Sequence, residues 1–467
     1  MQKMKWSVIA FAVAAATSQM AVASQQSESQ GFIEDSKLDL HARTLYFNRD
    51  FRNDRGQYNY DKDNKKARKM KAANGKTQGY REDLGLGLKA IYESGFTQGT
   101  VGFGVDAFGL QGIKLDSGGG RHGNNQFPTD GRSGKAQDNY SQAGAAVKAR
   151  LSNTTLKYGQ QFVDLPVLST DDSRLLPQST TGFLITSEEI DGLVVHAGHF
   201  TALSAMDQSF RDSETSSGRT LRSIDLVGAR YNFTDNLSAA YYYADAKTGQ
   251  KGNYVAADPA NDVEQSGGRY NAKKQYLNVN YNHPIADDQS VTVDFNAYST
   301  RYNNKELADK RTTKNNVRSM AFAYNLGAHT FTVGRQCVEG NEDGGYVYGY
   351  DGGGSVYLLN DVQFNDFTQK GEVSNQVRYD LDLETFGVPG LSFMTRYVRG
   401  SKIASDGNRH QGKNWERDID VRYVVQSGVA KDLSLHVRNA TYRANDAAGN
   451  PDINEVRFIA EYPLSIL

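Results

Sequence analysis

Five arginines set the chemistry this chain could perform. Arg378, Arg396, Arg422, Arg438 and Arg457 fall on the polar faces of five consecutive alternating segments near the C-terminus. Lys148, Arg150 and Lys157 sit likewise on two earlier segments. Residues two apart share a strand face and neighbouring strands lie about 4.8 Å apart, so such cations can form a row. A row of guanidinium groups offers a carboxylate repeated shallow sites, each a charge-assisted hydrogen bond that hands it to the next. The competing reading is neutralisation by Asp380, Asp382, Asp420, Glu455 and Glu461, which satisfies charge without moving a solute. The two readings are compatible.

Other motifs point away from catalysis. GxGxxA occurs at 85–90 and again at 102–107, but a dinucleotide site requires a strand, a tight turn and then a helix. Both copies lie inside period-two runs, which places their glycines on a polar strand face instead. His196 and His199 are three apart, and on a strand they point to opposite sides, so they cannot share a metal ion. Cys337 is the single cysteine. It excludes a disulfide scaffold or paired-cysteine site and reads as an inert thiol. No GxSxG element occurs. No catalytic residue, metal or cofactor is expected, and a membrane hydrolase is a distant alternative. Lys62, Lys65, Lys66, Arg68, Lys69 and Lys71 form a basic run, either a solvated face or a contact for lipopolysaccharide phosphates and incoming anions.

The elements that must position these groups are strands. Alternation is explicit in Val377, Tyr379 and Leu381 against Arg378 and Asp380, and in Phe393, Thr395 and Tyr397 against Met394 and Arg396. Val456, Phe458 and Ala460 likewise alternate with Arg457 and Glu461. Short turns are predicted near 93–96, 152–154, 189–191, 233–236, 283–288, 325–328, 385–389 and 427–431. Long polar loops are predicted near 50–77, 111–138, 163–179, 200–219, 248–268, 301–314, 338–371, 401–415 and 444–452. Eight turns alternating with nine loops separate eighteen strands. The fold predicted is an all-β transmembrane antiparallel barrel, apolar outside and polar within, with short periplasmic turns and long extracellular loops.

Composition agrees. The chain has 467 residues, 46 glycines, 27 tyrosines and 21 phenylalanines but only 8 prolines. A mean hydropathy of −0.63 is too polar for a packed soluble core so rich in aromatics. A formal net charge of −1 gives no field for nucleic acid. Lys3 and Lys5, the apolar run 6–16 and Ala21-Val22-Ala23 form a secretory leader, predicted to be removed after Ala23. Residues 24–36 then form a periplasmic segment and 37–467 the barrel. Thirteen residues cannot supply the plug of an energy-coupled receptor, whose barrel has about 22 strands. An adhesin role for the loops is a further distant alternative.

Several stretches carry a resemblance. They are GFIEDSK at 31–37, YESGFTQGTVGFGVD at 92–106, DSRLLP at 172–177, NDFTQKGE at 365–372 and PGLSFMTRYVRG at 389–400. In this order and spacing the chain resembles the OprD-type substrate-specific outer-membrane channels of pseudomonads, the Occ channel family. The resemblance implies an eighteen-stranded barrel narrowed by loops 163–179 and 338–371 folded inward. It implies a basic ladder for the substrate carboxylate, best fitted by Arg438 and Arg457, facing a patch of acidic and hydroxyl groups that meets a basic group. Ser355, Asp361 and Asp366 occupy the patch positions, with Asp172 and Arg174 in the third loop. Phe364 stands where amino-acid-selective members tend to carry a tyrosine. The implied function is passive uptake of small carboxylate-bearing nutrients, first basic amino acids or short peptides, with benzoate-like aromatic acids as the rival. The terminal segment 462–467 resembles the end read by the barrel-assembly machinery, with Leu467 in place of the usual phenylalanine. The expected surroundings are outer-membrane lipid and lipopolysaccharide, as a monomer or loose trimer.

Overall fold

The computed structural model describes residues 24–52, 58–61, 66–69, 79–117, 121–130, 135–211, 220–249, 270–304, 312–341, 356–404 and 410–465. The leader, Lys62, Lys65 and Lys71 of the basic run, and Ser355 lie outside them. Eighteen strands form one closed antiparallel sheet. In chain order they are β1 Lys37–Phe51, β2 Tyr80–Glu93, β3 Val101–Asp116, β4 Asn139–Leu151, β5 Thr154–Gln161 and β6 Ser179–Ile190. Next come β7 Leu193–Ser204, β8 Thr220–Thr234, β9 Leu237–Gly249, β10 Tyr270–Ala286, β11 Gln289–Asn304 and β12 Thr312–Leu326. The last six are β13 His329–Gly340, β14 Val373–Asp382, β15 Leu391–Ile403, β16 Gly412–Val424, β17 Ser434–Ala444 and β18 Ile453–Ser465. Every consecutive pair is hydrogen-bonded, and β18 returns to β1 with Phe458 opposite Tyr46. Closure leaves no unpaired edge, which a structure spanning hydrocarbon requires.

Alternation decides the faces. Phe103, Val147, Val377 and Phe458 are each more than half exposed on the outside, where lipid covers them. Their neighbours Lys148, Arg378 and Arg457 point inward. Aromatic pairs gather near the short turns, with Tyr231 and Phe233 at 4.8 Å and Phe331 and Tyr379 at 5.1 Å. Such girdles suit the membrane–water boundary. Cys337 opposes Arg318 and Val373 on the outward face of β13.

Residues 24–36 tie the chain to the short turns at one end of the barrel. The Gln26 backbone N–H donates to the Ser152 carbonyl at 3.1 Å. Its side-chain amide donates to the Thr97 and Gly99 carbonyls and its oxygen accepts from Arg150 Nε at 3.0 Å. Asp35 accepts backbone N–H bonds from Gln30 and Gly31, and the first of these holds its carboxyl below its ordinary range.

Two long loops fold into the barrel because the wall makes room for them. Leu175 and Leu176 of the loop 162–178 are fully buried against Leu45, Phe47 and Phe127. The glycines of the first GxGxxA run are their seat. A Cβ on Gly85 would lie 2.7 Å from Leu175 Cδ2 and Phe127 Cζ, and one on Gly87 would lie 2.7 Å from the Leu175 carbonyl oxygen. These glycines therefore face loop atoms rather than open lumen. Gly87→Ala should push the loop inward or out of its seat, because a backbone oxygen cannot rotate away. The expected readout is a single-channel conductance changed by about two-fold with the barrel intact on gels; unchanged conductance would mean the loop is not seated there.

Candidate functional site

Arg43, on β1, organises the third loop. Its Nη1 donates to Asp172 Oδ1 at 2.7 Å and to the carbonyls of Asp172 and Arg174, while Nε donates to Glu461 at 2.7 Å. Lys89 Nζ reaches Asp172 Oδ2 at 3.2 Å. Burial raises the Asp172 carboxyl, but Arg43 and Lys89 outweigh it and hold the group well below the usual carboxylate range. Burial, with Arg457 and Arg49 nearby, pushes the Arg174 guanidinium down to about 10.

The seventh loop is pinned just as firmly. Glu416 of β16 is fully buried and accepts the backbone N–H groups of Phe364 and Asn365, both at 2.9 Å. Gln336 of β13 donates to the carbonyls of Asp366 and Phe367 and accepts from the Asn360 N–H. The two loops meet where Tyr357 Oη donates to Asp164 at 2.6 Å. Tyr298 links both, donating to the Pro166 carbonyl and accepting from the Tyr357 N–H.

Between the loops and the wall runs a channel of about 2390 Å3. One side carries Arg396, Arg438, Arg457 and Arg49, and the loops bring Asp171, Asp361 and Asp366 to it. Register explains the row: Arg438 lies directly opposite Arg457, and Arg378 directly opposite Arg396, across adjacent strands. Carboxylates interleave with it. Asp418 pairs with Arg396 at 2.6 Å, Asp420 with Arg438 at 3.3 Å, and Glu455 with both Arg457 at 2.6 Å and Arg49 at 2.7 Å. Glu455 thus serves two of the cations, Arg396 and Arg457 lie almost fully buried in the wall, and Arg438 is the most accessible of these three arginines. Asp361 lies against Asp366 and Asp171, and burial with these like charges raises its carboxyl well above the ordinary range despite Arg396. On the acidic side, like charges therefore favour the protonated form.

Not every cation expected in the row joins it. Arg378 is held on both arms by Asp380 of its own strand, at 2.6 and 2.7 Å, and Arg422 donates to Ser434 Oγ at 2.8 Å. Lys148 and Lys157 both engage Asp106, and Arg150 lies 4.1 Å over the Phe96 ring beside Gln26. None of these five lines the channel; the last three serve the short-turn end of the barrel. Conversely, Arg43, Arg49 and Lys89 were not singled out from sequence. On β1 the inward face reads Arg43, Leu45, Phe47 and Arg49, so its apolar residues point into the barrel against loop leucines. His196 faces the channel beside Tyr242, whereas His199 faces outward to Asp225 at 2.6 Å. Phe364 packs at a tilt against Tyr442, 5.0 Å between ring centres, and lies 4.8 Å beneath Arg49.

At the foot of the seventh loop, burial pushes the fully enclosed Glu372 carboxyl up to about 7, with Asp366 adding to it. A carboxyl raised in the folded state favours folding below its unfolded value and loses that contribution as pH climbs through its folded value. The seventh-loop base should therefore loosen between about pH 4.5 and 7, by about 3 kcal/mol at most. Hydrogen exchange at the amides of Gln369–Glu372 should be faster at pH 8 than pH 6 after correction for intrinsic rate. Glu372→Gln should abolish that difference.

A lipid-facing barrel whose lumen is narrowed by charged inward loops is a channel for small solutes in an outer membrane, not an enzyme. The chain matches the family described as outer membrane porin, OprD family, over residues 30–267 and 270–466, and it belongs to that family. It is 43% identical to Porin D of Pseudomonas aeruginosa over all of both chains. Among solved structures it is similar to OccAB1 of Acinetobacter baumannii (33% identity, TM-score 0.79, covering 95% of this chain and all of that one). It is also similar to OpdK of Pseudomonas aeruginosa, solved with vanillate (30% identity, TM-score 0.72, covering 93% and 100%).

Proposed function

We propose that this porin passes small solutes bearing both a carboxylate and a cationic group, with basic amino acids and short peptides as the substrate class. The observation that carries this reading is that Arg396, Arg438 and Arg457 line one channel together with Asp171, Asp361 and Asp366. A carboxylate moves along the guanidinium row by exchanging charge-assisted hydrogen bonds, while the acidic loop side attracts the other end. A simple monoanion gains from the row but is opposed by the acids. The similarity to OpdK, solved with vanillate, supports the rival reading of an aromatic acid, in which the acidic side is only structural. On the same reading residues 1–23 are the export leader and the outer rim meets lipid and lipopolysaccharide.

Labelled arginine and labelled benzoate, each competed with the other, should separate the two in proteoliposomes of the mature protein. Arginine is expected to enter faster and to be inhibited weakly by benzoate. Faster benzoate entry, with arginine a poor competitor, would move the channel to aromatic acids.

A further inference from the structure

Below the constriction, the wall of β10–β12 carries one carboxylate in an unusual setting. Asp294 of β11 lines the channel and is only 7% exposed. Its Oδ1 accepts from Asn278 Nδ2 and Asn280 Nδ2, both at 2.9 Å, and its Oδ2 accepts from Asn296 Nδ2. Asn296 is itself fixed, accepting from Tyr276 Oη at 2.6 Å and from Asn278 Nδ2 at 3.0 Å. Three carboxamides thus orient the group, yet among the described residues no lysine, arginine or histidine forms an ion pair with it. Its cross-strand neighbour on β12 is Ala321, also channel-lining, so no side chain covers it from that side.

Two physical points make this more than a structural acid. Amide donors stabilise a carboxylate's geometry without cancelling its charge, so the field of Asp294 acts on whatever is in the channel. Its level also matches the arginine row. Asp294 is the sixth residue from the periplasmic end of β11, Arg396 the sixth from that of β15, and Arg438 the fifth from that of β17. β11 stands six strands from β17 in the eighteen-strand ring, a third of the way round, so the two sites lie on different sectors of the wall of one channel.

We propose that Asp294 and its collar of Asn278, Asn280 and Asn296 form a second cation-reading subsite, below the loops, for the ammonium or guanidinium end of a solute. The carboxylate then descends the arginine row while the cationic end moves from Asp361 and Asp366 to Asp294, and the solute keeps its orientation to the exit. The assignment of that cation to a basic amino acid rests on the function proposed above. The amides add a hydrogen-bonding rail to the site, with Asn282 held to Thr292 and Asn325 to Ser290 further toward the periplasm.

The test pairs Asp294→Asn with Asp294→Glu, both checked for heat-modifiable migration as folded barrels. Reversal potentials in a KCl gradient and uptake of arginine against its uncharged isostere citrulline are measured for each. Asp294→Asn should shift the reversal potential toward anion preference and lower the arginine-to-citrulline ratio by about five-fold. Asp294→Glu, which keeps the charge, should hold both within about two-fold of the parent. Unchanged reversal potential and ratio in Asp294→Asn, or an equal loss in both variants, would overturn the subsite. A parent channel that prefers benzoate to arginine would instead refute the amino-acid reading, while the reversal potential still reports the cation subsite.

Discussion

Arg438→Ala should lower arginine flux by about ten-fold or more while leaving a folded barrel. The side chain lines the channel and faces Arg457 across the strand pair. A charge-assisted hydrogen bond contributes about 1.5–3 kcal/mol, which is ten-fold to a hundred-fold in occupancy of that step. Removing it also leaves a gap between Arg396 and Arg457, where a carboxylate must cross without a donor. The fold should survive, since Asp420 is 3.3 Å from Arg438 and keeps His436 as a partner. Labelled arginine uptake by proteoliposomes measures the loss. Flux within two-fold of the parent would mean that the row is only an internal ion-pair network.

The second large effect concerns the loop side. Asp361→Asn with Asp366→Asn should reduce arginine flux by about ten-fold and leave benzoate flux equal or higher. The two carboxyls lie in contact on the seventh loop, and burial with mutual repulsion raises the Asp361 carboxyl well above its ordinary range. A pair held this way carries less negative charge than two separate carboxylates. Replacing both by amides removes that charge with little change in shape, and Glu416 and Gln336 still hold the loop. A monoanion then meets less repulsion, so the variant should shift selectivity rather than simply weaken transport. Equal loss for both solutes would point to a displaced loop.

The barrel was legible because its signal is repeated. Each strand alternates on a period of two and each connection alternates between short and long, so eighteen local patterns point to one closed sheet. The eight turns lie where they were expected. Arg438 and Arg457 could be read for the same reason, since alternation fixes a strand face. What alternation does not fix is register and loop packing. Arg378 was indistinguishable in sequence from Arg396, yet Asp380 claims both its arms. Lys148 and Lys157 look like row members, but Asp106 lies between them. β1 misled in the opposite direction. Its inward Leu45 and Phe47 violate the polar-inside rule because they pack on Leu175 and Leu176, which are over a hundred residues away in sequence. Arg43 and Arg49 share that inward face and were hidden by it.

The most direct measurement compares uptake of arginine with agmatine, which has the same guanidinium and chain but lacks the carboxylate. If the guanidinium row of Arg396, Arg438 and Arg457 carries the solute, arginine should enter about ten-fold faster than agmatine through the parent channel. The Arg438→Ala variant should narrow that advantage. Agmatine entering as fast as arginine would contradict the reading, because the carboxylate would then contribute nothing to passage.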